Sequence, residues 1–387
     1  MLRLGTHNDR LAFVLASLLT LVAIPGCAPP PRNPQSAIPT PQSAIPTPQS
    51  AIPEWERAVT AGVEEGRIAI AGPMGEGWSQ TVLSFQREVP RIQVQYAAME
   101  TSEFFQRLET ERDGGRPVWD LRIGDLSPEA FTARDRGTLD PVRPLLFHPE
   151  VVDDSAWMGG VDGLFDVDAE HRWFAGFTVQ LGAVAWVNRN AVSREELRSV
   201  RDLVDPKWRG KIALHDPRGG PGLTTLALLL ETYGEGFVRQ LLSAPDLAVT
   251  DDSRQLAEWV ILGQYPIGVG YTTDLARRFL QQGQLVNVQP LEDGPLGVSM
   301  GQGTLQLVRG APHPNAARVF ANWLLTRTAQ DRLAQSAGIN SRRIDVWPGD
   351  PLLVPDPQRI KELACVTCER YLPLQTRALQ IARELVG

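Results

Sequence analysis

Proline clusters in one short segment, and this clustering divides the chain into parts that cannot share one fold. Nine of the 31 prolines lie within residues 28–53, where the heptapeptide Pro-Gln-Ser-Ala-Ile-Pro-Thr occurs twice in full and once truncated. Proline fixes φ and removes a backbone donor, so this segment favours extended polyproline II and cannot build a packed core. The sequence therefore predicts a semi-rigid tether at residues 27–53, rising about 3.1 Å per residue, ahead of a globular body.

The segment before the tether has the layout of an export signal. Arg3 and Arg10 precede an uncharged apolar run at residues 11–24. This run is shorter than the roughly 20 residues that a membrane-spanning helix needs, so residues 1–26 are predicted to be a secretory signal. The sequence Ile-Pro-Gly-Cys that ends at Cys27 also resembles the lipobox of bacterial lipoproteins, which implies cleavage before Cys27 and its lipidation. A conventional signal that is cut nearby is the alternative.

Composition and charge exclude several classes of protein. The chain has 38 Lys and Arg against 45 Asp and Glu, a formal charge of −7, and only three cysteines. A nucleic-acid-binding protein usually has a basic excess, and a disulfide-stapled miniprotein needs dense cysteine in a short chain. Ten tryptophans and 43% hydrophobic residues exclude a disordered chain. The sequence therefore indicates a folded, mildly acidic protein with no nucleic-acid partner.

Strand and helix patterns alternate along residues 54–387. Amphipathic helices are predicted at 78–89, from Thr101, at 253–262 with Asp252 as the cap, and after Pro314. Strands are predicted at 67–71, 92–96, 120–123, 174–177, 183–188, 211–215, 247–249, 266–271, 285–289 and 304–308. This order favours an α/β fold with mostly parallel sheets.

Three stretches of the body resemble the extracytoplasmic solute-binding proteins of ABC importers, in particular the ferric-iron-type group. They are residues 202–222, residues 311–325 and residues 103–120. The resemblance implies a type 2 periplasmic-binding-protein fold, in which two lobes, each a mostly parallel sheet flanked by helices, are joined by two hinge crossings. The crossings are expected near residues 177–187 and 291–303. Lobe 1 is then formed by residues 54–180 and 299–387, and lobe 2 by residues 181–298.

The same resemblance implies a function and partners. The lobes are expected to close on a small-molecule or ion solute and to deliver it to the transmembrane permease subunits of an ABC importer. The protein is then an exported monomer, lipid-anchored to the outer face of a bacterial cell membrane on its periplasmic or extracellular side. It is expected to be neither an enzyme nor a cofactor-dependent protein. A ligand sensor for a signalling receptor is an alternative that the sequence leaves open.

The expected architecture also indicates where a solute binds. In open parallel sheets the crevice lies beyond the carboxyl ends of the strands, where helix amino ends present unpaired N–H groups. The glycine-rich loop at residues 217–225 suits an anionic or polyhydroxyl ligand, with Arg218 as a counter-charge, although an ordinary tight turn is an equal alternative. The candidate solute-binding residues are Met74, Gly75, Glu76, Ser102, Asp125, Gln180, Arg218, Gly219, Thr224, Thr225, Tyr271 and Thr272.

The tyrosines bear on the class of solute. The iron-binding members of the group that the chain resembles bind ferric ion through two adjacent tyrosines. The five tyrosines here include no adjacent pair, and the five histidines, His215 among them, are interpreted as turn or surface residues without metal spacing. No metal site is therefore predicted, and an organic or oxyanion solute is favoured over ferric iron. Glu76, Asp125 and Tyr271 could still supply oxygen ligands in a different arrangement.

Two short motifs suggest other chemistry. Residues 297–301, Gly-Val-Ser-Met-Gly, match the nucleophile-elbow pattern, which would make the chain an exported, lipid-anchored hydrolase with Ser299 as nucleophile. That motif needs a helix after the serine, whereas a strand is predicted there, so we interpret it as a hinge segment without a catalytic residue. Cys365 and Cys368 are predicted to form a local disulfide in an oxidising compartment, with a redox or metal half-site as the alternative.

Overall fold

The computed structural model describes residues 48–115, 117–270 and 287–386. Cys27, most of the predicted tether, Tyr271 and Thr272 lie outside the described residues. The α-helices are α1 Pro48–Glu65, α2 Glu76–Glu88, α3 Thr101–Asp113, α4 Pro128–Asp135, α5 Gly160–Gly163, α6 Gly220–Leu242, α7 Ser253–Ile261, α8 Pro314–Leu324, α9 Arg327–Ala337 and α10 Leu372–Leu385. None of these described helices is long and apolar enough to cross a membrane.

The strands agree closely with the predicted pattern. They are β1 Arg67–Gly72, β2 Gln93–Ala98, β3 Leu121–Gly124, β4 Leu139–Asp140, β5 Ala175–Gly176, β6 Gln180–Ala183, β7 Ala185–Asn188, β8 Ile212–His215, β9 Ala248–Thr250, β10 Ile267–Val269, β11 Val288–Pro290, β12 Leu296–Ser299, β13 Thr304–Val308 and β14 Ala364–Cys365. Every predicted strand overlaps an observed one. The strands that the sequence did not predict as separate elements, β4, β6, β12 and β14, are short or lie in glycine- and cysteine-containing segments.

The first sheet forms the centre of lobe 1. Its strand order is β2-β1-β3-β13-β4, and β5 also pairs with β13. Strand β1 is parallel to β2 and β3, whereas β13 is antiparallel to each of its partners. Trp78, Val82 and Phe85 of α2 pack with Phe320 of α8 in one core against this sheet. The helical stripes predicted from the sequence therefore face the sheet, as their periodicity indicated.

The second sheet forms the centre of lobe 2, with the strand order β11-β7-β10-β8-β9. Strand β8 is parallel to β9 and β10, while β7 is antiparallel to β10 and β11. The two-lobed α/β fold is thus as predicted, and the helices α6 and α7 cover this sheet. The antiparallel strand β7 lies where the chain enters lobe 2. The sequence pattern predicts the strand but not its direction in the sheet.

A third, small sheet lies at the junction of the lobes. Its strand order is β14-β12-β6, with β12 antiparallel to β6 and parallel to β14. Strand β6 lies in the first predicted crossing and β12 in the second. The two crossings are therefore hydrogen-bonded to each other, and we call these three strands the hinge sheet.

The last helix packs against the second lobe. Tyr371 together with Ala378, Ile381 and Ala382 of α10 is buried in the same core as the apolar residues of α6. The predicted division assigns residues 299–387 to lobe 1, and the packing of α10 differs from it. The apolar stripe of α10 is visible in the sequence, but its packing partner is not. The other boundaries of the division stay predictions.

The tether was predicted to be extended up to residue 53, which is wrong for its last six residues. Helix α1 already begins at Pro48 and includes Pro53. Pro48 at the first position loses no hydrogen bond, because the first N–H groups have no partner in the helix. Pro53 lies inside the helix, where its missing N–H removes one hydrogen bond of the helical ladder. The helix is fixed to α8 by Glu65, whose carboxylate accepts hydrogen bonds from Asn315 Nδ2 at 2.7 Å and Ala316 N at 2.8 Å.

Candidate functional site

A cleft of about 1270 Å³ lies where lobe 1, lobe 2 and the hinge sheet meet. Eight of the predicted solute-binding residues line it, namely Met74, Ser102, Asp125, Gln180, Arg218, Gly219, Thr224 and Thr225. Glu76 is exposed at the start of α2, where its Oε1 accepts a hydrogen bond from Gln80 Nε2 at 2.7 Å, and Gly75 precedes it. Neither residue is among those that line the cleft, so the structure does not support placing them there.

On the side of lobe 1, the cleft has a buried arginine that the sequence analysis missed. Arg122 Nη2 donates to Thr101 Oγ1 at 2.6 Å and to Asp125 Oδ1 at 3.1 Å, and Nη1 donates to the Asp125 carbonyl at 3.0 Å. The guanidinium packs over the rings of Phe104 and Phe105, 5.3 and 5.1 Å from their centroids. Burial lowers the pKa of Arg122, and the charge of Asp125 opposes that effect.

Glycine makes room for this arginine. A Cβ atom at position 124 would lie 2.4 Å from Arg122 Cζ. The sequence signal was therefore present as Gly124, but only its loop with Asp125 was assigned to the site. Arg122 itself lies inside a strand, where alternation alone does not distinguish a cleft-facing cation from a solvent-facing one.

On the side of lobe 2, the glycine-rich loop leads into α6 as predicted, but Arg218 has an acidic partner. Its Nε lies 2.9 Å from Asp216 Oδ1 and its Nη2 lies 2.7 Å from Asp216 Oδ2. Arg218 lowers the pKa of the Asp216 carboxyl, mainly through these hydrogen bonds. The loop thus presents a guanidinium and a carboxylate side by side, together with the amino end of a long helix.

Glycine also sets how closely α6 approaches β8. A Cβ atom at position 222 would lie 2.2 Å from the Asp216 carbonyl oxygen and 2.3 Å from that of His215. No residue with a side chain fits at this position without moving the backbone. Gly222 therefore allows the first turn of α6 to start directly over the carboxyl end of β8, at the wall of the cleft.

His215, at the end of β8, lines the cleft and is 6% exposed, so its interpretation as a turn or surface histidine was wrong. Its Nε2 lies 3.0 Å from the hydroxyl of Ser253, the first residue of α7. Burial lowers the pKa of His215, while the nearby Asp216, Asp251 and Asp252 oppose that effect. Asp252 caps α7 as predicted, accepting hydrogen bonds from Arg254 N and Gln255 N.

The floor of the cleft is formed by the hinge sheet and by the segment that follows β14. Gln180, Ser299 and Gln302 line it, as do Thr367 and Gln375. Ser299 ends β12, and the next element along the chain is strand β13 rather than a helix. This is the strand–strand context that the sequence analysis expected of a hinge segment. Cys365 and Cys368 form a disulfide beside it.

The four described tyrosines make contacts within the body of the protein. Tyr96 Oη donates to the Pro73 carbonyl at 2.5 Å, and the hydroxyl of Tyr371 donates to Glu231. The ring of Tyr233 packs on Phe237 and that of Tyr265 on Trp259. Within residues 48–115, 117–270 and 287–386, no group of three or more His, Cys, Asp or Glu residues is placed to hold a metal ion.

Residues 177–338 match the family model of the bacterial extracellular solute-binding proteins. An uncharacterised protein of Haemophilus influenzae is 24% identical over 235 residues, which are 59% of this chain and 63% of that protein. Iron uptake protein A1 of Synechocystis sp. is 25% identical over 277 residues, 67% of this chain and 70% of that protein. The chain thus spans about two thirds of the length of these curated relatives.

Solved structures agree with the fold. Iron-bound HitA from Pseudomonas aeruginosa superposes with a TM-score of 0.63 at 17% identity, over 82% of this chain and 99% of HitA. At this level of identity the likeness concerns the fold. The fold here is built on two larger sheets, one of six strands and one of five, and a small sheet of three strands.

Proposed function

We propose that this protein, whose residues 177–338 match the bacterial extracellular solute-binding proteins, is the exported solute-binding component of an ABC importer. It captures a small solute in the cleft between its lobes and delivers the solute to the transmembrane permease subunits. The observation that supports this most strongly is that lobe 1, lobe 2 and the hinge sheet all contribute lining residues to one cleft. A solute bound there contacts both lobes, so its binding favours the closed arrangement of the lobes.

The polar groups of the cleft support an organic solute that carries hydroxyl groups together with an acidic group. Arg122 with Asp125, and Arg218 with Asp216, place donors and acceptors side by side on the two walls. Thr224 and Thr225 in the first turns of α6 add hydroxyl groups near unpaired helix N–H groups, which favour an anion. A bare inorganic ion would use only a small part of a cleft of about 1270 Å³.

Ferric iron is the second candidate solute. It is favoured by the names of the relatives, since Iron uptake protein A1 and iron-bound HitA are among the proteins that the chain resembles. Asp125 would be one oxygen ligand, and Tyr271 and Glu76 were the other candidates. Glu76 does not line the cleft, and Tyr271 lies outside the described residues. The organic solute therefore has the broader support from the cleft itself.

A hydrolase is the alternative from another class of function. Ser299 lines the cleft, but it is followed by a strand instead of the helix that a nucleophile elbow requires. We expect purified protein to show no turnover of p-nitrophenyl esters. Ester hydrolysis that disappears in Ser299→Ala would overturn the importer proposal. The ligand-sensor alternative would instead be supported if a receptor, and no permease, bound the loaded protein.

The amino-terminal part of the proposal concerns attachment to the membrane. We propose that Cys27 is lipidated and that the proline-rich segment holds the body away from the bilayer. Metabolic labelling with an alkyne fatty acid should mark the wild-type protein and leave Cys27→Ser unmarked. Equal labelling of both proteins would contradict lipidation at this residue, and absence of label from both would favour the conventional signal.

The solute can be identified without assuming its nature. Native mass spectrometry of protein purified without denaturation should reveal a co-purified organic molecule. A thermal-shift panel of glycerol 3-phosphate, xylitol, inorganic phosphate, glutamate and ferric citrate then compares solute classes. A solute that binds only the folded state raises Tm by mass action, and we expect glycerol 3-phosphate to raise it most. A shift with ferric citrate alone would favour the iron candidate.

A further inference from the structure

A loop closed by the disulfide between Cys365 and Cys368 reaches the floor of the cleft. The two residues between the cysteines, Val366 and Thr367, both line the cleft. We propose that this loop is part of the solute site, with Thr367 as a specificity-determining residue and the disulfide as the element that positions it. The inference rests on the proposed function of the cleft and adds a third contributor to solute contact besides the two lobes.

The loop is joined directly to the second hinge crossing. Strand β14 pairs with β12 in parallel, and Val366 N donates to the Val298 carbonyl at 3.0 Å. A Cβ atom on Gly297 would lie only 2.7 Å from Val366 Cγ1. The loop and the crossing strand are therefore in direct contact, so the loop follows any movement of β12.

The hydroxyl group of Thr367 can donate a hydrogen bond to a solute. Its Oγ1 accepts a hydrogen bond from Met300 N at 3.3 Å. A threonine hydroxyl can accept and donate at the same time, and its O–H group has no acceptor among the described residues. Ser299 and Gly301, on either side of Met300, also line the cleft. Thr367 thus presents its donor on the same stretch of floor as the crossing.

Hydrogen bonds hold the disulfide loop to lobe 1 on one side and to α10 on the other. After it, Glu369 accepts two hydrogen bonds from Arg134, at 2.8 and 2.7 Å, and one from Ala169 N at 2.8 Å, all in lobe 1. Gln375 Nε2, on α10, donates to the Val366 carbonyl at 2.7 Å, and α10 packs on lobe 2. The chain therefore passes between the lobes a third time at this loop.

The disulfide limits the shapes that this third passage can take. It spans three positions of sequence, and Cys368 N also donates to the Cys365 carbonyl at 3.1 Å. A closed ring of this size keeps Val366 and Thr367 directed at the cleft when the lobes move. Without the bond, the loop has more conformations, and the solute must order it on binding.

The test measures binding by calorimetry for the member of the thermal-shift panel that raises Tm most, with glycerol 3-phosphate as the expected one. Thr367→Val should weaken binding about 3- to 10-fold, the size of one neutral hydrogen bond, and Thr367→Ser should restore most of it. Cys365→Ala with Cys368→Ala should cause a loss of similar size. Adding Thr367→Val to that double variant should then cost little more, because the hydroxyl is no longer held in place.

Thr376→Val is the matched control, because Thr376 lies on α10 and its hydroxyl donates to the Leu372 carbonyl away from the cleft. Wild-type affinity in Thr367→Val, or losses that simply add, would overturn the inference while leaving the proposed function intact. If the cysteine variant does not fold, the comparison of Thr367→Val with Thr367→Ser decides the role of the hydroxyl. A wild-type protein that binds no member of the panel would overturn both proposals.

Discussion

Arg134 holds Glu369 through two parallel hydrogen bonds, Nη1 to Oε2 at 2.8 Å and Nη2 to Oε1 at 2.7 Å. The two residues are 235 positions apart in the chain, and their side chains are 10% and 24% exposed. This pair fastens the end of the disulfide loop to helix α4. Because the Arg134–Glu369 pair is bidentate and mostly buried, it should stabilise the protein more than ion pairs on the protein surface do.

We expect Glu369→Gln to lower the free energy of unfolding by about 2 kcal/mol, the size of a hydrogen bond to a charged group. Asp162→Asn is the control, because Asp162 pairs with Arg143 at an exposed position and should cost less than about 1 kcal/mol. Urea denaturation measures both variants. Equal losses would show that the Arg134 pair contributes no more than a surface pair.

The same pair predicts a dependence on pH. Hydrogen bonding to Arg134 lowers the pKa of Glu369 below its usual value of 4.5. The unfolded chain therefore binds the proton more readily, so this contribution to stability is complete above about pH 4.5 and is lost as the pH falls through the lower, folded pKa. Glu369→Gln should lose less stability than wild type between pH 5 and pH 3. If the stability of the two proteins falls equally with pH, titration of Glu369 does not cause the loss.

Gly222 and Gly236 provide a pair of substitutions in the two halves of α6, which is kinked at Gly234. Alanine at position 222 would collide with two carbonyl oxygens of β8 and its loop, and we expect a loss of about 1–3 kcal/mol together with weaker solute binding. A Cβ atom at position 236 meets nothing within 4 Å. Gly236→Ala should therefore gain up to about 1 kcal/mol from helix propensity and leave binding unchanged. Similar effects of the two variants would disprove the close approach of α6 to β8.

Two histidines, the buried His215 and the half-buried His148, should make the protein less stable below neutral pH. Burial lowers the pKa of His215, against Asp216, Asp251 and Asp252, and it lowers that of His148 with help from Arg343 and against Glu150. The unfolded chain takes up these protons near pH 6.5 and the folded chain at lower pH, so stability is full above pH 6.5 and falls on acidification. The double variant His148→Gln with His215→Gln should have a flatter profile between pH 7.5 and 5.5 in urea denaturation. If stability falls with pH as steeply in the double variant as in wild type, these two histidines are not the cause of the loss.

The Arg122–Asp125 pair should be costly to break on one side. Asp125→Asn leaves the guanidinium of Arg122 buried without its carboxylate, and we expect a loss of about 1–3 kcal/mol. Replacing both residues, Arg122→Met with Asp125→Leu, should cost less than the sum of the two single changes, because no uncompensated charge remains. Solute affinity should fall in Asp125→Asn, in Arg122→Met, in Asp125→Leu and in the double variant. Additive losses in stability would contradict a coupled pair.

The sequence predicted the strands and helices well because burial imposes regular patterns on them. Strand β3 is apolar at Leu121 and Ile123, and the helices carry stripes at helical spacing. It did not predict which element packs on which when the partners are far apart in the chain. The packing of α10 on α6, and the pairing of β14 with β12, depend on the lobe arrangement and have no local signal.

The candidate site was predicted where glycine and helix starts mark it and missed where a side chain is placed by tertiary contacts. Gly219, Thr224 and Thr225 follow from the loop before α6. Arg122 was missed because Phe104 and Phe105, over whose rings its guanidinium packs, meet it only in the fold. Thr367 was missed because it belongs to a third passage between the lobes. His215 was misjudged because burial at the end of a strand is not visible in the residue itself.

The order in which the chain emerges from the export machinery limits when each lobe can fold. The first sheet needs β13, at residues 304–308, between β3 and β4, and the core of the second lobe needs α10, which ends at Leu385. Lobe 1 therefore cannot complete its sheet until lobe 2 has largely emerged, and lobe 2 cannot complete its core until α10 has followed. Both lobes should therefore complete their cores together, once nearly the whole chain has emerged.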